Sequence, residues 1–159
     1  PLGSFFLFKN AGVDAYGNQI ITDINKNGNI DQGDLSGDRY IAGQVLPKFT
    51  YAFTPTVRYK DLDVAFVFRG AGGHHIYNAR RAQLSALGNL GQTNVLKTAP
   101  GIGINNVEYA SDLWLEKGDF FRLDNLTAGY RFKTGSIKYV ESMRLSVTAT
   151  NLFVISGYE

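Results

Sequence analysis

The sequence predicts an all-β chain made of antiparallel strands and hairpins. Its 159 residues include eleven Phe, nine Tyr and eighteen Gly. Aromatic residues favour strands, whereas glycine marks turns and close approaches of the backbone. Four segments alternate apolar with small or polar side chains, which is the pattern of a strand with two different faces. Two of these segments are separated only by Lys60-Asp61, which is short enough to close a tight hairpin.

The best-defined pair of strands is Phe49–Tyr59 and Leu62–Arg69. One face of the pair is apolar and largely aromatic, and it carries Phe49, Tyr51, Phe53, Val57, Tyr59, Leu62, Val64, Phe66 and Phe68. The opposite face carries mainly Thr, Ala and Arg. Pro55 lies inside the first strand and has no N–H group, so it predicts a bulge or a missing ladder bond at that point.

Two more strands follow towards the C-terminus. Phe120–Phe132 places Leu126, Ala128, Tyr130 and Phe132 on one face. After a polar connection, the last strand alternates from Met143 and ends within residues 151–158. Both segments again have one apolar face and one small or polar face.

The remaining residues predict loops with short elements. Phe5–Lys9 is a short apolar run, and Asn18–Thr22 predicts a short strand. Loop then continues to Pro47. Gly70–Asp112 is a long loop with a short helix near Tyr77–Leu87, where Ala, Arg, Gln and Leu favour helix.

Two architectures fit these patterns. A soluble antiparallel sheet with one solvated face shows the same alternation as a membrane barrel strand. The order of long strand, tight turn, long strand and long loop favours the barrel, because membrane barrels have short turns on one side and long loops on the other. The alternation alone leaves both architectures open.

Composition excludes several classes of protein. The net charge of +2 and the pI of 8.9 give no basis for nucleic-acid binding. Cysteine is absent, which excludes a disulfide framework and thiol chemistry. No apolar run approaches the roughly 18 residues of a membrane helix. Residues 1–4, PLGS, match the remnant of a cleaved expression tag, so only residues 5–159 enter the interpretation of the fold.

The polar loop from Asp23 to Asp34 has the spacing of a twelve-residue calcium loop. Oxygen-bearing side chains occupy its positions 1, 3, 5, 9 and 12, and Gly28 lies at the sharp turn of position 6. The predicted ligands are Asp23, Asn25, Asn27, the backbone carbonyl of Asn29, Asp31 and Asp34. We expect low affinity for Ca²⁺, because position 12 is Asp rather than Glu and two ligands are neutral amides. The alternative is a solvated loop of Asx turns without an ion.

Other candidate sites are weaker. His74 and His75 are adjacent and point to opposite faces of an extended chain, so they predict no chelate. Arg80 and Arg81 are interpreted as a solvated helix face rather than an anion path. Four aromatic residues have surfaces that suit sugar stacking or a membrane-interface girdle: Tyr109, Trp114, Phe120 and Phe121. No nucleophile–base pair is recognisable, so we expect no enzyme.

Several stretches, taken in order, resemble the SusC/RagA family of TonB-dependent transporters. Ser111–Tyr130, SDLWLEKGDFFRLDNLTAGY, resembles the family's late signature of an SD, a glutamate before a glycine, and F-x-R-L-x-N-x-T-x-G-Y. Asn151-Leu152-Phe153 resembles its N-L-F motif near the C-terminus. The acidic loop at Asp23 and the turn at Lys60-Asp61 fall in the family's order. Together these stretches cover most of the chain.

The resemblance implies a piece of a large transmembrane β-barrel of about 22 strands with long extracellular loops. It further implies import of glycans or peptides across the outer membrane of a Bacteroidetes-type Gram-negative bacterium, with a SusD-like lipoprotein and TonB as partners. We expect residues 5–159 to be a fragment of the C-terminal half of the barrel, without plug, TonB box or final strand. Such a fragment leaves strand edges unpaired, so we expect self-association or a partner at an edge.

The strand faces yield one more expectation from this resemblance. Eight apolar residues are predicted to face lipid in the parent barrel: Tyr51, Phe53, Val57, Val64, Phe66, Tyr130, Leu145 and Val147. Two other functions remain as alternatives. One is a soluble calcium-dependent β module that binds glycan or protein at the cell surface. The other is a glycan hydrolase, which would need two catalytic carboxylates from Asp112, Glu116, Asp119 and Asp124.

Overall fold

A computed structural model of the chain describes residues 2–31, 33, 37–135 and 139–158. The chain divides into two units. The first contains residues 2–46 and His74–Lys117, and the second contains Pro47–Gly73 and Gly118–Tyr158. The strands are β1 Ser4–Phe8, β2 Asn10–Val13, β3 Gln19–Ile21, β4 Arg39–Gln44, β5 Phe49–Phe53, β6 Thr56–Tyr59, β7 Leu62–Gly72, β8 His75–Tyr77, β9 Leu115–Lys117, β10 Phe120–Lys133 and β11 Ser142–Ser156. The helices are α1 Ala79–Leu84 and α2 Ala99–Ile102, with 3₁₀ turns at Leu87–Asn89 and Asp112–Trp114.

The second unit is one antiparallel sheet in the order β11-β10-β7-β5, with β6 also paired to β7. The predicted hairpin is confirmed, because Tyr59 pairs with Leu62 across the Lys60-Asp61 turn. Lys60 has a φ of +54°, in the left-handed region that such two-residue turns require. The all-β, antiparallel prediction is therefore confirmed for this unit.

Pro55 breaks the first strand of the hairpin into β5 and β6 without shifting its register. Phe53 pairs with Phe68 and Val57 pairs with Val64, so both strands have the same number of residues between these pairs. The Pro55 carbonyl still accepts a hydrogen bond from the N–H of Phe66, at 3.0 Å. Of the two outcomes predicted at Pro55, the structure therefore shows the missing ladder bond and not the bulge.

The strand β11 ends at Ser156, within the predicted range, and its pairing with β10 is interrupted at Asn151 and Leu152. Among the described residues, β11 pairs only with β10, and β5 and β6 pair only with β7. The expectation that another strand or a second copy covers these edges stays a prediction.

The first unit consists of three small antiparallel pairs and the short helices. The pairs are β1 with β4, β2 with β3 and β8 with β9. Four of these strands, β2, β4, β8 and β9, lie where the sequence predicts no strand, because each has only three to six residues. Ser4, excluded above with residues 1–4, is the first residue of β1.

The predicted helix near Tyr77–Leu87 is observed as the shorter α1. The side chain of Asn78 caps it, with Oδ1 accepting a hydrogen bond from the N–H of Arg81 at 2.9 Å. The core of the first unit lies beside this helix. It is formed by Trp114, Ile104 and Ala82, all almost completely buried.

Candidate functional site

Charge is completely separated between the two faces of the sheet in the second unit. Residues that pair directly across strands share a face, so the register assigns each paired side chain to one side. Asp124 is unpaired, and its ion pairs place it with Arg69 and Arg122. The polar face carries all the charged residues of these five fully described strands: Arg58, Asp63, Arg69, Arg122, Asp124, Arg131, Lys133 and Arg144. The opposite face has none. Such a sheet separates an apolar environment from an aqueous one.

The apolar face includes all eight residues predicted above to share one side. Phe66, Phe68 and Phe121 stack at its centre, with ring centroids 5.4–5.9 Å apart. Many residues of this face are largely exposed, including Phe53 at 64% and Val147 at 69%. A continuous exposed aromatic face of this kind marks a surface that contacts another apolar phase or partner. That this phase is lipid stays a prediction.

A β-bulge at Asp124 builds a polar cluster on the charged face. Leu123 pairs with Phe68 and Asn125 with Val67, so β10 has one extra residue there and Asp124 turns to the polar side. Asp124 forms ion pairs with Arg69, at 2.9 Å, and with Arg122. This cluster links β7 to β10.

The same cluster reaches the last strand through Asn151. Opposite Asp124, β11 has two residues between its paired positions, Asn151 and Leu152. Asn151 adopts a φ of +54°, which asparagine tolerates better than most residues. Its side-chain oxygen accepts a hydrogen bond from the Arg122 guanidinium. The cluster therefore ties three neighbouring strands at their point of irregular pairing.

A second ion pair crosses a whole strand. Arg144 on β11 donates to both carboxylate oxygens of Asp63 on β7, at 3.1 and 2.6 Å. Gly129 lies between them on β10, and a Cβ at this position would clash with the Arg144 guanidinium. A larger residue at position 129 would therefore force the Arg144 side chain to shift from its path to Asp63.

The Asp/Asn loop of the first unit is held by Asx turns. The carboxylate of Asp23 accepts hydrogen bonds from the N–H groups of Lys26, at 2.6 Å, and Gly28, at 2.8 Å. Asn25 Oδ1 accepts from the N–H of Asn27, and Asn27 Oδ1 accepts from the N–H of Asn29. These contacts orient the side-chain oxygens but also occupy them.

The structure brings three of the predicted calcium ligands into direct contact. Asp31 Oδ2 accepts hydrogen bonds from the side-chain amides of Asn25, at 3.4 Å, and Asn27. Asp34 lies outside the described residues. Among the residues that are described, no group of three or more His or carboxylate side chains is placed to hold a metal ion. Calcium binding by this loop therefore stays a prediction.

Asp38 organises this loop, and the sequence interpretation missed it. Its side chain is fully buried, and it accepts hydrogen bonds from the N–H groups of Ile24, at 2.7 Å, Asn25, at 3.2 Å, and Asp31, at 2.8 Å. The bond from Asp31 is the largest of the effects that hold the pKa of Asp38 below its ordinary value. Ionised Asp38 therefore favours the folded loop above the ordinary carboxyl pKa, and this contribution is lost as the pH falls through the lowered value. A carboxylate shortly after the candidate ion loop, with Leu35, Ser36 and Gly37 between it and Asp34, was the available signal.

Comparison with known proteins identifies the origin of these features. No protein-family model matches the chain. The chain is 31% identical over 151 residues to the TonB-dependent receptor SusC of Bacteroides thetaiotaomicron, a match that covers 88% of this chain and 15% of that receptor. It is 27% identical over 157 residues to the TonB-dependent receptor P3 of Formosa agariphila, covering 89% of this chain and 15% of that receptor.

Solved structures of related fold agree with this similarity to TonB-dependent receptors. The RagAB peptide importer in its closed-closed state superimposes with a TM-score of 0.76 at 22% identity, over 98% of this chain and 20% of that one. The structure of the RagAB peptide transporter gives 0.77 at the same identity, over 98% and 19%. The chain belongs to the SusC/RagA-type TonB-dependent receptors. It spans about 15% of the length of the curated relatives it matches.

The fold prediction is therefore confirmed: the sheet consists of antiparallel strands and hairpins of a SusC/RagA-type β-barrel. No helix within residues 2–31, 33, 37–135 and 139–158 has the length and hydropathy of a membrane-spanning segment.

Two acidic residues of the late SusC/RagA signature, Asp112 and Glu116, make structural contacts in the first unit. In the first unit, Asp112 accepts hydrogen bonds from the N–H of Asn10, at 2.8 Å, and from the Tyr40 hydroxyl, at 2.7 Å. Burial, and then this carboxylate, raise the pKa of Tyr40 to about 12. Glu116 accepts from the side chains of Asn78 and Arg81, each at 3.0 Å.

Two sequence interpretations need correction here. Trp114 is fully buried in the core of the first unit, so it has no surface for sugars or for a membrane interface. Arg81 is not a solvated helix residue, because it forms an ion pair with Glu116 at 3.0 Å. Arg80 is exposed, as expected.

Proposed function

We propose that this chain forms part of the barrel wall of an outer-membrane transporter that imports glycans or peptides in a Bacteroidetes-type bacterium. The separation of all strand charges from an exposed aromatic face carries this proposal, because lipid-facing barrel strands need one face without charge. Membership of the SusC/RagA-type receptors supports import, rather than export, as the direction of transport. By the same membership, a SusD-like lipoprotein and TonB are the proposed partners.

Two observations argue against the hydrolase alternative. The relatives are named as receptors and importers. All four candidate carboxylates are also engaged in structural contacts. Asp112 binds Tyr40, Glu116 binds Arg81 and Asp124 binds Arg69. Asp119 accepts a hydrogen bond from the N–H of Gly73, at 2.7 Å. A carboxylate held by donors in this way is poorly suited to be the general acid that a hydrolase needs.

The transport proposal is tested by deleting the gene that encodes this chain and growing the strain on single glycan or peptide sources. We expect growth to fail on at least one source and to return on complementation, but not when TonB is also removed. Membrane extraction distinguishes the transporter from the remaining alternative, a calcium-dependent surface module. Release of a barrel protein requires detergent, whereas a calcium-dependent module is released by a chelator. Unchanged growth on every source, or release by chelator alone, would contradict the proposal.

For the loop of the first unit, we further propose weak Ca²⁺ binding. The Asx turns at Asp23, Asn25 and Asn27 and the contacts of Asp31 already hold four of the candidate side chains in one loop. Asn29 is placed at the position that offers a backbone carbonyl, and Asp34 completes the sequence spacing. On binding, the two asparagine amides would rotate to present oxygen rather than nitrogen.

Calorimetric titration with Ca²⁺ tests this proposal. We expect heat at millimolar Ca²⁺, a strong loss of binding in Asp23→Ala, and metal–oxygen distances of about 2.3–2.6 Å in a bound structure. Asp14→Ala is the matched control, because Asp14 caps a neighbouring Asx turn by accepting from Tyr16 and Asn18, at 2.8 Å each. Absence of heat, or equal effects of the two variants, would show that the loop is held by hydrogen bonds alone.

A further inference from the structure

The hairpin end of the sheet carries a cationic pocket on the polar face. It has a volume of about 300 Å³ and is lined by Arg58, Lys60, Asp61, Asp63, Arg131 and Arg144. Four basic side chains against two carboxylates leave a net charge of +2 at this pocket. All of these residues belong to the second unit.

The internal ion pair does not neutralise this pocket. Asp63 is bound through both of its oxygens by Arg144. Among the described residues, Arg58 and Arg131 form no hydrogen bond or ion pair with a carboxylate through their side chains. Two guanidinium groups therefore remain for a ligand.

The register makes this excess of positive charge unfavourable without a ligand. Arg131 lies directly opposite Arg144 on β11, and like charges in this position repel each other. Arg58 lies directly opposite Asp63, which attracts Arg58 and Arg131 but is already bound through both of its oxygens by Arg144. An anion between the two unpaired arginines would relieve the repulsion and satisfy their donors.

We propose that this pocket binds a small water-soluble oxyanion, a carboxylate or phosphate group, with Arg58 and Arg131 as its principal donors. The guanidinium group presents paired N–H donors that match the oxygens of carboxylate and phosphate. The pocket lies on the charged face, whereas the aromatic face is on the opposite side of the sheet. A free anion therefore fits the site better than the headgroup of a lipid whose chains contact the aromatic face. This proposal does not depend on the transported cargo.

Calorimetry on the whole chain, folded in neutral detergent micelles at low salt, tests the site with inorganic phosphate and with acetate. We expect saturable binding that weakens about tenfold or more in Arg58→Gln and in Arg131→Gln, since each removes a charge-assisted hydrogen bond. Lys133→Gln is the matched control, because it removes a positive charge from the same face of β10 outside the pocket. We expect this control to change affinity less than threefold, as a rough limit for an exposed charge.

A variant with the opposite expected effect keeps the test informative if an arginine variant fails to fold. Asp63→Asn frees Arg144 and removes a negative charge, so we expect tighter phosphate binding. Equal losses in Lys133→Gln and Arg58→Gln, or no gain in Asp63→Asn, would overturn the proposal. A second experiment replaces inorganic phosphate with micelles that contain phosphatidylglycerol. If the chain binds these micelles but neither phosphate nor acetate, the proposal of a small soluble anion is overturned in favour of a lipid headgroup.

Discussion

Arginine in place of Val147 is expected to destabilise the sheet in a bilayer by about 2–4 kcal/mol, whereas arginine in place of Thr148 is expected to be tolerated. The two residues are adjacent near the middle of β11, so depth and strand are matched. Val147 lies on the uncharged face opposite Ala128, and Thr148 lies on the charged face opposite Thr127. The cost at Val147 is that of placing a guanidinium group against hydrocarbon.

Thr148→Arg also has a small cost of its own. The hydroxyl groups of Thr127 and Thr148 are 3.0 Å apart and share a hydrogen bond, which the substitution removes. Such a bond contributes about 1 kcal/mol. The destabilisation predicted for Val147→Arg is therefore larger than the loss expected from removing this hydrogen bond in Thr148→Arg.

Chemical denaturation of the folded receptor in lipid vesicles measures this difference. The comparison requires the same vesicles for both variants, because the penalty depends on depth in the bilayer. Similar losses at Val147 and Thr148 would mean that the apolar face does not contact lipid, and would favour a soluble sheet with a covered face.

Ile104→Ala is expected to destabilise the first unit by about 2–5 kcal/mol. Ile104 and Trp114 are both fully buried and belong to one core with Ala82. Truncation at Ile104 leaves a cavity beside the tryptophan ring, and a small core cannot collapse fully around it. Because folded domains are only marginally stable, a loss of this size is a large part of the stability of the unit.

Tryptophan fluorescence reads out this variant directly. Trp114 is the only tryptophan in the chain, so its emission reports on this core alone. We expect the unfolding midpoint of Ile104→Ala to fall clearly, with Leu90→Ala as control because Leu90 is 67% exposed. An unchanged midpoint in Ile104→Ala would indicate that the first unit is not stabilised by this core.

Local sequence pattern was sufficient for the long strands. A period-2 alternation assigns each residue to a face, and the register confirms this for all eight residues predicted to share one side. The hairpin at Lys60-Asp61 was also predictable, because a two-residue linker between alternating segments admits few other connections. The family followed from ordered motifs such as Ser111–Tyr130.

Short strands and polar contacts were not predictable in this way. The strands β4, β8 and β9 are too short to show a period, and they form because a partner strand elsewhere in the chain pairs with them. Arg81 lies 35 residues before Glu116 in the sequence, and only the fold brings Glu116 to it. Asp38 acquires its role from three N–H groups whose positions depend on the folded loop.

The sequence by itself determined which face of each long strand is apolar, where the tight turn lies and to which receptor family the chain belongs, because these depend on local alternation and on contiguous motifs. Only the tertiary structure decided which charges meet. Asp124 joins Arg69 and Arg122 through a bulge, and Arg144 reaches Asp63 across Gly129. Such contacts depend on the register between strands distant in sequence, and one residue of shift would move every side chain to the other face.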